Sequence, residues 1–200
     1  MNSWAGKRYW LVGASEGLGA ALAHKMSAAG VHLVLSARSE DKLNALAAQL
    51  PGKSDVVPVD VSDANSVRAA ADAAGEIDGV VQIAGVYWPF GAKAWDADQA
   101  TMMADINYTG AMRLMGAVVP KFVERDAGHI VLTGSLSGFR GLPGAAAYTS
   151  SKAGVMTLAE SLYADLRKTN VRVQLVNPGF VKTRLTDKND FNMPFIMEPD

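Results

Sequence analysis

The chain has 200 residues, 49% hydrophobic and 20% charged, which is the size and apolar content of one ordinary globular domain. With 19 basic against 20 acidic side chains the net charge is −1, so the strong basic excess of a nucleic-acid-binding surface is excluded. Cysteine is absent, which removes disulfides, thiolate metal sites and cysteine nucleophiles together, and the separated His24, His32 and His129 predict no metal site.

The N-terminal stretch "YWLVGASEGLGAALA" follows Lys7 and Arg8 and has the outline of a signal peptide. Ser15 and Glu16 interrupt its apolar run, and its glycines suit a turn. No apolar run approaches the roughly 20 residues of a membrane-spanning helix. A soluble chain is expected, and the lack of cysteine is compatible with a reducing, cytoplasmic compartment.

The first predicted strand, Tyr9–Val12, runs straight into "GASEGLG" and then a helix. Parallel sheets bind ligands beyond the carboxyl ends of their strands. There Gly13, Gly17 and Gly19 would let the backbone approach a pyrophosphate, and the helix start offers unpaired N–H groups. The spacing is GxxxGxG, not GxGxxG, and a tight turn needing positive φ is the alternative reading. The second strand, Val31–Ser36, ends in "LSARS". Ala37 stands where an NAD site has its acid, and Arg38 follows with a planar fork that suits a 2′-phosphate. NADP is therefore the expected cofactor. NAD stays open, because Glu16 is a carboxylate in the same loop and Arg38 could be a solvated surface residue.

Further strands are predicted at Asp55–Val59, Gly79–Ile83, His129–Thr133 and Arg172–Val176. Ala-rich helical stretches separate them, with cap residues at Ser39 and at Ser62 or Asp63. This alternation implies right-handed crossovers and a parallel sheet covered by helices, in one α/β domain spanning 1–200. Mostly apolar strands indicate burial on both faces. After the fourth strand, "GVYWPFGAKAW" carries Tyr87, Trp88, Phe90 and Trp95, which either line a substrate mouth or pack the next helix. Next comes "YTSSK", in which Tyr148 and Lys152 stand one helical turn apart on one face. It is the only such pair, since Tyr163 is followed four residues later by Arg167.

Together, "GASEGLG", "DVS" (60–62), "AG" (84–85), Asn107 in "DINYTG", Ser135 in "IVLTGSLSG", "YTSSK" and "NPGFVKT" (177–183) resemble the short-chain dehydrogenase/reductase family over nearly the whole chain. The resemblance implies a Rossmann-type doubly wound parallel sheet with helices on both faces. It implies an NAD(P)-dependent oxidoreductase interconverting a carbonyl and a secondary alcohol, with Asn107, Ser135, Tyr148 and Lys152 as catalytic set. In that set Tyr148 is the acid/base, Lys152 stabilises the phenolate and bonds the nicotinamide ribose, Ser135 holds the substrate oxygen, and Asn107 supports a water. Cofactor contacts carried over are Gly13, Ser15, Gly17, Leu18 and Gly19 at the pyrophosphate, Asp60 and Val61 at the adenine, Ala84 and Gly85 beneath the cofactor, and Pro178, Gly179, Val181 and Thr183 at the nicotinamide. A homodimer or homotetramer is also implied.

Two departures stand out. The family's Asn-Asn-Ala-Gly is here "QIAG", with Gln82 and Ile83 replacing both asparagines. Nothing after "MPFIMEPD" corresponds to the family's last strand and final helix, so a chain truncated at its C-terminus relative to the family is expected, with strand six at an edge. The segment "LTDKNDFNMPFIM" (185–197) falls where the family has a substrate lid, and its Phe191, Met193, Phe195 and Met197 suit either an apolar ligand or a subunit interface. The reading from another class is a non-catalytic cofactor-binding sensor or scaffold of the same fold.

Overall fold

A computed structural model of the chain describes residues 4–200. Six strands form one wholly parallel sheet: β1 (Arg8–Val12), β2 (His32–Ser36), β3 (Ser54–Val56), β4 (Gly79–Gln82), β5 (Gly128–Thr133) and β6 (Val171–Val176), in the order β3-β2-β1-β4-β5-β6. The order in which strands are added reverses between β1 and β4, and there Trp10 faces Val34 on one side and Val80 on the other. This doubly wound order opens a crevice at the carboxyl ends of the strands.

Alternate residues of the strands divide two cores. Trp10, Val12, Val80, Ile130 and Leu132 pack with α3 (Ala64–Ala74), α5 (Gly110–Glu124) and α6 (Ala146–Leu166). Leu11, Leu33, Leu35, Val81 and Val131 pack with Ala23 and Met26 of α1 (Gly17–Ala28) and Leu43 and Leu46 of α2 (Glu40–Ala47). Local chemistry starts α2 and α3 as predicted: Ser39 caps α2 and Asp63 rather than Ser62 caps α3, while Gly75 ends α3 with a φ of 66°.

The sixth strand departs from the two-sided burial expected of a parallel strand. Its burial alternates, with Arg172, Gln174 and Val176 exposed, because it is the sheet's edge and α1 and α2 reach only the β1–β2 side of that face. After β6 the described residues add a 3₁₀ turn at Thr186–Lys188 and a single bridge between Val181 and Met197, with no seventh sheet strand.

One helical irregularity positions the site. Between α4 (Ala97–Met103) and α5 the helix widens into a π turn over Ala104–Thr109, in which Gly110 N–H reaches back to the Asp105 carbonyl. Single π turns inside helices commonly sit at functional sites. Asn107 lies in this turn and is fully buried.

Candidate active site

The carboxyl ends of β1, β2, β4, β5 and β6 open on one cleft of about 470 Å³. Its floor is the glycine loop. Gly13 has a φ of 98°, and a side chain there would put Cβ 2.4 Å from the Ala84 nitrogen. At Gly19 a Cβ would lie 2.0 Å from the Gly13 carbonyl oxygen. Only hydrogen fits at either position: Gly13 takes the positive φ of a tight turn, and both glycines let other backbone of the chain pass close. Glu16 precedes α1 in an extended conformation without capping it, so the first N–H groups of that helix are free to face an anion. Ser15 also lines the cleft.

Charge gathers at the outer end. Arg38 is exposed and lines the cleft, with no hydrogen bond or ion pair among the described residues. The Glu16 carboxylate is held between two cations, Lys42 at 3.0 Å and Arg184 at 3.0 Å. The Glu16 carboxylate is thus paired on both sides rather than bare in the loop. Asp60 accepts from the Ser62 hydroxyl at 2.6 Å and the Ser62 N–H at 2.9 Å. Those bonds hold its carboxyl below the ordinary range, with Arg38 and Arg113 adding to the effect against burial. Val61 is buried beside it, its carbonyl accepting from Arg113 at 3.1 Å.

The inner end is built of buried side chains. Lys152 is only 4% exposed, donates to the Thr133 carbonyl at 2.9 Å and lies 5.9 Å from the centre of the Tyr148 ring. Burial pushes its amine down to about 8. Burial likewise raises the Tyr148 phenol, opposed by a hydrogen bond with Ser135 and reinforced by Tyr87. Ser135 stands just beyond β5 and accepts from the Ser137 hydroxyl at 2.9 Å. Ser135 lines the cleft, and Ser137, which does not, donates to it from the following turn.

Asn107 sits behind the cleft wall. Its side chain accepts from Val86 N–H at 2.7 Å and donates to the Val86 carbonyl at 3.0 Å and to Ser151 Oγ at 3.0 Å. Both amide hydrogens are thus used to clamp the chain after β4 onto α6. The "QIAG" departure also has a physical account. Gln82 is buried and donates to the Ala84 carbonyl at 2.7 Å, holding the turn that passes beneath the cleft. Its Oε1 finds no partner among the described residues.

The sequence-predicted residues Leu18, Ala84, Gly85, Pro178, Gly179, Val181 and Thr183 also line the cleft, so of the predicted set only Asn107 does not. Of the four aromatics after β4, Tyr87 and Trp88 line it, while Phe90 and Trp95 pack edge to face on one another at 5.5 Å. Phe191 packs on Phe180 at 5.9 Å, and Phe195 is 95% exposed. Sequence reasoning missed Lys42 and Arg184 as lining residues. Lys42 was findable, standing in the first turn of the helix that follows Arg38; Arg184 had only its place beside Thr183.

The model of the short chain dehydrogenase family matches residues 7–193. An uncharacterized oxidoreductase of Myxococcus xanthus is 44% identical over 195 residues, covering 94% of this chain and 77% of that one. A short-chain type dehydrogenase/reductase from Mycobacterium marinum superposes with a TM-score of 0.86 at 29% identity, covering 92% of this chain and 77% of that one. An actinorhodin polyketide ketoreductase, solved with NADPH, shares the fold with a TM-score of 0.89 at 24% identity, over 100% of this chain and 88% of its own.

Proposed function

The chain belongs to the short-chain dehydrogenase family, and on that premise we propose an NADP-preferring oxidoreductase that interconverts a carbonyl and a secondary alcohol with Tyr148 as acid/base. The observation that carries this reading is the convergence of Tyr148, Lys152 and Ser135 at the inner end of a cleft whose outer end is a glycine cradle with a free arginine. The cradle fits a dinucleotide, since side chains are sterically barred from Gly13 and Gly19 and helix N–H groups are left for a pyrophosphate. When bound, the nicotinamide supplies or accepts the hydride.

The chain's own residues handle the proton. Ser135 orients the carbonyl oxygen by a hydrogen bond. In the reducing direction the neutral Tyr148 phenol gives its proton to that oxygen as the carbon is reduced, leaving a phenolate. In the oxidising direction the phenolate takes the alcohol proton. An unperturbed phenol near 10 is a poor base at neutrality. The buried Lys152 ammonium favours the phenolate, and it remains largely protonated at pH 7 because its amine titrates at about 8. Asn107 acts by holding the Val86 backbone and Ser151 in place; any water it supports leads from Lys152 to solvent.

Arg38, joined by Lys42 and Arg184, would read the 2′-phosphate of NADP. Asp60 and Val61 would flank the adenine, Ala84 and Gly85 pass beneath the dinucleotide, and Pro178, Gly179, Val181 and Thr183 border the nicotinamide. Tyr87 and Trp88 favour a substrate with apolar surface. A cytoplasmic homodimer or homotetramer completes the reading.

The test is Tyr148→Phe. Turnover of a carbonyl panel with NADPH should fall by about a thousandfold or more, while NADPH affinity, read by fluorescence titration, stays within about threefold. Retained turnover sinks the assignment. Wild-type chain that binds NADPH and NADH equally well overturns the cofactor preference alone.

A further inference from the structure

We propose that Tyr87 is a positioning residue that couples the segment after β6 to the reacting phenol. Its ring meets the Tyr148 ring edge to face, centroids 4.9 Å apart and planes inclined by 65°. Such a contact holds its partner only if the ring itself is fixed, and Tyr87 is fixed at three points. The preceding residue, Val86, is clamped through both backbone groups by Asn107. The Tyr87 carbonyl accepts from Lys188 Nζ at 2.6 Å, and the same amine lies 4.9 Å over the Trp88 ring. The Tyr87 hydroxyl donates to Asn189 Oδ1 at 3.1 Å, and the Asn189 amide donates in turn to Met193 Sδ at 3.2 Å.

These contacts join residues about a hundred positions apart, and they end on the group proposed to move the proton. The segment 184–189 also reaches the cleft's outer end, where Arg184 pairs with Glu16. One strap therefore touches the cation cluster through Arg184 and the phenol through Tyr87. The Tyr87 ring keeps water from one face of Tyr148, and burial is what raises that phenol. The other groups facing it are Lys152 from its own helix and Ser135 from the loop after β5, while Asp190 bears on Tyr87 and Arg184 on Lys188.

The proposal rests on Tyr148 being the acid/base, and its test needs neither cofactor nor substrate. Tyrosinate absorbance is recorded by stopped flow after jumps to alkaline pH, before the chain unfolds, and the Tyr148 signal is isolated by subtracting the matching Y148F background. In Y87A the Tyr148 midpoint should fall by about one pH unit as water reaches the ring, whereas Y87F, which keeps the ring and loses only its hydroxyl tether, should show a smaller fall of about 0.3–0.5. An unmoved midpoint in Y87A, or an equal fall in Y87F, overturns the proposal. Should Y87A not fold, N189A decides, because it removes the acceptor of the Tyr87 hydroxyl, and the Met193 contact with it, while leaving both rings in place: a fall of about 0.3–0.5 supports the coupling, and no change refutes it. Turnover retained in Y148F alongside these shifts would sink the acid/base reading while leaving the coupling intact.

Discussion

At the outer end of the cleft, Lys42 and Arg184 stand in solvent on the Glu16 carboxylate with Arg38 exposed in the same lining; at the inner end, Lys152 is enclosed to 4% exposure against a backbone carbonyl. Exposed ion pairs are screened and individually weak, so the outer cations act by degree and can be exchanged or re-paired. A buried ammonium has one workable geometry and carries a cost of desolvation, which only a fixed role justifies. On the proposed function, selectivity between cofactors would thus be built from adjustable parts, and the proton step from parts that tolerate no adjustment.

The sharpest way to break this contrast is Lys152→Met. Turnover should drop by about a thousandfold. Stability should move the other way, because the amine titrates at about 8 folded against about 10.4 unfolded. The unfolded chain then holds more protons between those values, so the wild type gains stability as pH rises through that window and lacks it below. Denaturant unfolding of the free protein should therefore favour K152M by up to about 3 kcal/mol at pH 6–7, the gap narrowing as pH approaches 10. A mutant less stable at pH 6 would show that the bond to Thr133 outweighs desolvation.

Effects at the outer end should be smaller and separable. Arg38→Ala is expected to weaken NADPH binding about tenfold and leave NADH binding unchanged, as titration of each cofactor would show. Equal losses for both would mean that Arg38 serves the loop rather than the phosphate. Glu16→Gln should act in the opposite sense, freeing Lys42 and Arg184 and tightening NADPH binding by about threefold at low ionic strength, with the gain vanishing near 1 M salt. Weaker binding would mean that Glu16 is needed to hold the two cations in place.

The same division marks what could be read from residues alone. Short β-branched runs such as Val31–Ser36 and the caps Ser39 and Asp63 are local signals, and they placed the elements within a residue or two, except β3, which stops at Val56, three residues short of the expected Val59. The glycine cradle and the Tyr148–Lys152 turn are local as well. Pairings across the fold were not legible: nothing near Glu16 announces Arg184, 168 positions later, and the anchors on Tyr87 come from Lys188 and Asn189. The exposed alternation of β6 arises from its place at the sheet edge, a property of topology rather than of "RVQLV". Asn107 was identifiable as a residue, but that its amide is spent on Val86 required the π turn to be seen.

That turn makes the molecule sensitive to length in a way that no composition reveals. Across the six residues 104–109 the chain carries a residue more per turn than the regular helices on either side. Deleting any one of them would let α4 and α5 merge into one regular helix whose flanks keep their facing, because six residues of π turn advance about as far round the axis as five of α, so the displacement falls on the residues inside the turn. Asn107 would swing away from Val86 and Ser151, and the aromatic pair that follows Val86 would lose its footing. Single-residue indels in this stretch should therefore be scarcer among functional variants than substitutions there, which a deletion scan set beside a substitution scan would reveal.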